Sequence, residues 1–390
     1  MNKPAALGLV ERAKALAPLI THEADEIERT RRLTPKVVSS LIEHGLYRSL
    51  MPQSLGGAEA PPEIFMQVLE EIAKADASTA WCLGQCSVCG MTAAYLDADV
   101  ARQIWARPED ILAWGAIAHQ VQAVPGGYRI TARWDFASGS RQATWLGAHV
   151  EVLEADGTRR MNRNGTPEIR TIVFPASSAT MHDVWDVIGL KGTGTDSYSV
   201  ENLFIPENFA ALRDDFTALR EKGPLYGITT YSMFALGFAA IALGVARASL
   251  DAAVELARKK HSVGIAAMKD NSAVQGLIGR TEGNLRAARA YHYSTAADAW
   301  QELVSTGRLS EERRAAIRLS ATWTIHQAAA VVDTAYHMAG ATAVFRANGF
   351  ERRFRDMHAI AQQIQARDTH YEDVGKMILT NSVIPRGPTV

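Results

Sequence analysis

The chain is poor in cysteine, in net charge and in long apolar runs, and each scarcity removes a class of protein. Its 390 residues hold three cysteines, Cys82, Cys86 and Cys89, all in one short stretch. Their i, i+4, i+7 spacing puts them on one face of a helix. No His, Asp or Glu stands in that stretch to complete a metal site. They read as buried thiols of a reducing compartment, with no metal bound. A formal net charge of −1 leaves no basic excess for a nucleic-acid surface. No basic segment followed by an apolar one opens the sequence, so a cytoplasmic location is expected. The uncharged run Gly227 to Val245 carries Thr229, Thr230, Tyr231, Ser232 and three glycines. It reads as a buried bundle helix rather than a membrane span. Neither an internal repeat nor a low-complexity segment is present.

What is there has two periods. A chain of 390 residues exceeds one ordinary core, so two or three domains are expected. Residues 1–112 read as helices: Thr34-Pro35 is an N-cap followed by proline, Gly45 closes that helix, and another starts near Pro62. The run from Ala77 continues helical, capped by Asp76 or Ser78. Over 113–214 the pattern turns to short β-rich segments bounded by Gly, Pro or Asn. Residues 215–390 are helical again, with amphipathic stretches at 228–260, 270–305, 310–339 and 351–380. The expected fold is mainly α with a central β-barrel-like domain and a C-terminal four-helix bundle.

Four segments then carry a family resemblance. Gly45-Leu46-Tyr47 through Pro52 and Gly56-Gly57 form the first. Trp134 with Phe136-Ala137-Ser138-Gly139 is the second. The third is Gly189-Leu190-Lys191-Gly192-Thr193-Gly194-Thr195, followed by Val200 and Phe204-Ile205-Pro206. The fourth is Phe354-Arg355-Asp356-Met357-His358-Ala359. In this order, spanning nearly the whole chain, they resemble the acyl-CoA dehydrogenase fold. Dehydrogenases of that fold carry a catalytic Glu about nine residues after the Arg-Asp pair, where this chain has Gln363 and Ile364. The family's other base position, counted back from Gly244, falls at Phe234. Neither amide nor hydrocarbon takes up a proton at neutral pH. Phe136 to Ser140 and the Phe354 segment resemble instead the two-component flavin-dependent monooxygenases of the fold.

That resemblance implies an oxygenase subunit using reduced FMN or FAD as co-substrate, delivered by a separate flavin reductase. With O2 it would form a flavin C4a-hydroperoxide and hydroxylate a small aromatic, indole-type substrate. A homotetramer is implied, with neither membrane nor nucleic acid as partner. The alternatives are an acyl-CoA dehydrogenase with FAD, an N- or S-oxygenating relative, or a binding protein that kept only the fold. Candidate catalytic residues are His119, Ser138, His370 and Gln363. Histidine suits acid–base work near neutrality, and Ser138 would donate a hydrogen bond to the flavin or peroxide. Flavin-holding candidates are Trp114, Trp134, Ser138, Gly139, Thr193, Thr195 and Lys260. The last stands where the family has an Arg that grips a neighbouring subunit's diphosphate, keeping the charge without the fork. Trp81, Gln85, Phe234 and Arg367 would line the substrate pocket, Trp81 by stacking and Arg367 by gripping a carboxylate. His370 with Asp368 and Thr369 reads more readily as a helix cap than as a catalytic group.

Overall fold

The computed structural model of the chain describes residues 3–116, 118–260 and 267–380. The N-terminal helices are α1 (Lys3–Thr30), α2 (Pro35–Glu43), α3 (Pro62–Ala75), α4 (Ala77–Gly90) and α5 (Ala98–Ile104). Their starts follow local chemistry. The Thr34 hydroxyl accepts the Val37 N–H ahead of Pro35, and Asp76 accepts the Thr79 N–H at 2.6 Å.

Eight strands follow: β1 (Leu112–Trp114), β2 (His119–Val124), β3 (Gly127–Ala137), β4 (Trp145–Leu153), β5 (Ile169–Pro175), β6 (Thr180–His182), β7 (Asp196–Pro206) and β8 (Ala210–Ala211). They form one mixed sheet in the order β6-β7-β3-β2-β4-β5-β8, with β1 beside β4. Among the described residues the edge strands β6 and β8 do not pair with each other. Parallel pairing of β1 and β2 with β4 sets Trp114 opposite Gly147, two residues from His149. That register builds one wall of the site.

The helices after the sheet are α6 (Thr230–Lys259), α7 (Ser272–Thr306), α8 (Glu311–Ala339), α9 (Phe350–Ile360) and α10 (Thr369–Thr380). α6 is long and apolar enough to cross a membrane, yet 83% of its most apolar stretch is buried inside the protein. It packs on α3, α4, α7, α8 and α9 and forms the core axis. Gly244 permits this, because a Cβ there would stand 2.7 Å from that of Ala73 on α3.

The single amphipathic stretch expected over 351–380 is broken. α9 ends at Ile360 and α10 begins at Thr369. No Gly or Pro stands between them. The loop is held instead by α8, where Thr322 donates to the Gln365 carbonyl at 2.8 Å and His326 bonds the Ala366 carbonyl at 2.9 Å. Tertiary bonds to these carbonyls outweigh local helix propensity.

Candidate active site

Two tight loops meet at the face of α4. In the first, Phe136 takes φ 60° and Gly139 φ 80°. A Cβ on Gly139 would stand 2.5 Å from the Cys86 sulfur, so only glycine lets the loop lie on the helix. The second loop, Leu190 to Thr195, is pinned where Arg141 grips Asp196 through Nε at 2.6 Å and Nη2 at 3.1 Å. Behind it the Leu190 N–H donates to Asp356 at 2.6 Å.

Side by side, the loops build a chain of buried hydroxyls. Trp81 Nε1 lies 3.0 Å from Ser138 Oγ, Ser138 lies 2.7 Å from Thr195, and Thr195 lies 2.7 Å from Thr193. Thr193 in turn donates to the Leu190 carbonyl at 2.8 Å. Each hydroxyl has one hydrogen, so the donor roles follow from the ends. Trp81 can only donate and Leu190 O can only accept. The protons therefore run from Trp81 through Ser138, Thr195 and Thr193 to the carbonyl. Ser138 spends its hydrogen inside the chain and offers a ligand a lone pair, where donation to the ligand was expected.

Beside this chain runs a row of aromatic rings. Trp81 stacks on Phe238 at 4.0 Å and 3°, Phe238 on Phe234 at 5.4 Å, and Phe234 meets Trp114 edge-on at 6.3 Å. Gln85 Nε2 approaches the Cys89 sulfur at 3.5 Å on the same face of α4. All three thiols are buried, and burial pushes the Cys82 thiol up to about 12. Trp114 is framed at its far end by His149, edge-on at 5.0 Å, and by the Arg213 guanidinium 5.1 Å from its ring centre. Among the described residues no group of His, Cys, Asp and Glu is placed to hold a metal.

Other candidates stand elsewhere. The Trp134 ring has no exposed surface and packs on Tyr198 at 5.4 Å. Strand alternation turns it into the sheet core, where its indole nitrogen is buried without a partner among the described residues. His119 lies edge-on to Trp134 at 5.4 Å, its Nε2 buried without a partner among the described residues. His370 is 2% exposed, bonded through Nδ1 to Thr322 at 2.8 Å and through Nε2 to Tyr231 at 3.3 Å. It therefore does not cap α10. Burial, with Arg318 adding, pulls it down to about 4, so it is neutral near pH 7. Gln363 accepts the Gln365 N–H at 2.8 Å and leaves Nε2 buried and unpartnered. With Arg367, His326 and Asp368 it lines a cleft of about 350 Å³. Among the described residues no hydrogen bond or ring contact joins that cleft to the hydroxyl chain.

Lys260 caps the far end of α6, with Nζ 3.1 Å from the Ala339 carbonyl and 3.2 Å from the Thr342 hydroxyl. The family-like residues beyond it, His261 to Gly264, lie outside the described residues. At 1.5 Å per residue, Lys260 stands roughly 30 Å along the helix from Phe238.

Models of the acyl-CoA dehydrogenase N-terminal and C-terminal domains match residues 12–102 and 236–367. The chain belongs to the acyl-CoA dehydrogenase superfamily. It is 29% identical over 366 residues to the indole-3-acetate monooxygenase of Pseudomonas putida, covering 92% of this chain and 90% of that one. It is 27% identical over 362 residues to the flavin-dependent monooxygenase oxygenase subunit HsaA of Rhodococcus jostii, covering 90% and 92%. The crystal structure of the 3-HSA hydroxylase from Rhodococcus sp. RHA1 superposes with a TM-score of 0.90 at 24% identity, over 98% of both chains. Within the superfamily the chain is the oxygenase subunit of a two-component flavin-dependent monooxygenase. A flavin fits the Ser138–Gly139 turn, where Ser138 keeps a free lone pair beside flat apolar surface. Ser138, Gly139 and Thr195 would hold it, while Thr193, 1% exposed, acts through Thr195.

Sequence reasoning missed Phe238, His149, Arg213 and Thr171, whose hydroxyl lies 3.2 Å from Arg213 Nε and 3.0 Å from His149 Nδ1. Phe238 was within reach, one helical turn after Phe234. The other three join β4, β5 and the segment after β8, and no local spacing signals that meeting.

Proposed function

We propose that the protein inserts one oxygen atom from O2 into a small aromatic, indole-type substrate. The observation that carries this is the wall itself: Trp81, Phe238, Phe234 and Trp114 form a continuous aromatic row with no carboxylate in it. The acid bound to Arg213 at the Trp114 end of the row is Asp214. Both its oxygens are engaged, with the Thr230 N–H at 2.9 Å, the Thr230 hydroxyl at 2.7 Å and Arg213 at 2.8 Å. That pairing disqualifies it as the base an acyl-CoA dehydrogenase needs. The relatives' activity on indole-3-acetate supports an indole-type ring.

Reduced flavin, when bound, activates O2. The chain's own share is to exclude water with the aromatic row, orient the ring by stacking, and present the Ser138 lone pair at a fixed place. Solved relatives of the fold hold FADH2 or FMN, and either serves this reading. The flavin arrives from a separate reductase. A homotetramer suits Lys260, whose distance from the aromatic row is too long for one flavin nucleotide. The lysine then serves the site of a second copy. A cytoplasmic location matches the three reduced thiols.

The experiment compares two additions. Purified protein with an excess of acyl-CoA and FAD under anaerobic conditions should leave the flavin yellow. Adding a flavin reductase, NAD(P)H and indole-3-acetate in air should consume O2 and yield hydroxylated product. Bleaching in the first vessel with no product in the second would overturn the reading.

A further inference from the structure

We infer that Arg213 is the receptor for an anionic side chain on the substrate, so that this oxygenase selects aromatic acids over their neutral analogues. The inference rests on the aromatic reading above and names the substrate class more closely.

Arg213 is held as a fixed fork. Its Nε donates to the Thr171 hydroxyl at 3.2 Å and its Nη1 to Asp214 at 2.8 Å. Thr171 is 1% exposed and lies 3.0 Å from His149 Nδ1. An arginine never accepts, so Thr171 accepts from Arg213. Burial, with the Arg213 charge adding, holds His149 far below its usual range, so the neutral ring can take the Thr171 hydrogen at Nδ1. The guanidinium lies over the Trp114 ring, and only 15% of its side chain is exposed. Every restraint on it thus comes from Nε, Nη1 and the ring face. Nη2 has no protein partner among the described residues and is not sealed from solvent. A donor left open on a side chain fixed at three points is preorganised for an acceptor.

Its place selects the acceptor. Asp214 ties Arg213 to Thr230 at the start of α6, one turn before Phe234. The open donor therefore sits at the end of the aromatic row farthest from Ser138. A flat ring stacked along Phe234 and Phe238 would carry its substituent toward Arg213 and present its other edge to the flavin end. A carboxylate one or two carbons from the ring matches that layout. Arg367, the carboxylate grip expected from sequence, is exposed in a different cleft, and its guanidinium has no hydrogen-bond partner among the described residues.

Binding of indole-3-acetate and of neutral indole-3-acetamide is measured by calorimetry on the intact protein without flavin or reductase, so the result does not depend on turnover. Wild type should bind the acid more tightly than the amide. Arg213→Gln should weaken the acid about ten- to hundredfold and the amide less than about threefold. Arg213→Lys should recover part of the loss, and Arg367→Gln should change neither ligand. Unfolding curves matching wild type keep the variants interpretable. No preference in wild type, equal losses of acid and amide in Arg213→Gln, or loss of the preference in Arg367→Gln would each overturn the assignment. Failure here with oxygenated product still formed would leave the oxygenase reading intact. Selective binding without product would do the reverse.

Discussion

The residue that decides most is Ser138, because its single hydrogen is already committed. Replacing it by alanine removes the lone pair offered to the flavin and leaves Trp81 Nε1 and Thr195 each short of a partner in a buried place. Ser138→Ala should therefore raise the fraction of NAD(P)H lost as hydrogen peroxide several-fold, measured as peroxide released per NAD(P)H consumed. Unchanged coupling would remove the serine from the flavin site. Thr193→Val should lose about 1 kcal/mol of stability with a smaller effect on coupling, since Thr195 still separates it from Ser138. Chemical denaturation reads the first effect and the peroxide ratio the second. Ser138 was legible in sequence from its motif. The direction of its hydrogen was not, since that depends on the Leu190 carbonyl, 52 positions away in the chain.

At the scale of elements, the two long-range devices are the helix α6 and the loop from Leu190 to Thr195. α6 was readable as a core helix, because its uncharged run includes glycines that admit α3. The break between α9 and α10 was not readable, since the bonds that open it come from Thr322 and His326 on α8. The loop is tied to the C-terminal helices by Asp356, whose carboxyl burial pushes up to about 7, with the Asp76 charge adding. An unfolded Asp ionises near 3.9. Between about pH 4 and pH 7 the native group holds a proton that the unfolded one has lost, so stability falls as pH rises through that window. Asp356→Asn keeps an acceptor for the Leu190 N–H and has no charge to bury. It should flatten that slope and gain on the order of 2 kcal/mol over wild type at pH 8, read from urea midpoints at pH 5 to 8. Parallel pH profiles for the two proteins would contradict the assignment.

For the whole molecule, sequence order alone gave the succession of helices, sheet and helices, since hydrophobic period changes sharply at the sheet's edges. The site was half legible. Residues on one helix, Trp81 with Gln85 or Phe234 with Phe238, are visible from spacing. Arg213, Thr171 and His149 converge only once the sheet is paired. Lys260 lies at the opposite end of α6 from the aromatic row, and in the proposed tetramer it would serve the cofactor site of a second copy. Light scattering should return a mass four times the chain's 42.4 kDa, and a monomer at micromolar concentration would leave Lys260 without a flavin to hold.

Oxygen transfer itself is tested most directly with isotopic O2. The protein is supplied with a flavin reductase, NAD(P)H, indole-3-acetate and 18O2, and the product is weighed by mass spectrometry. One 18O atom per product molecule is predicted, with none when the reductase is omitted. Product carrying oxygen only from water, or acyl-CoA oxidation in its place, would contradict the oxygenase assignment.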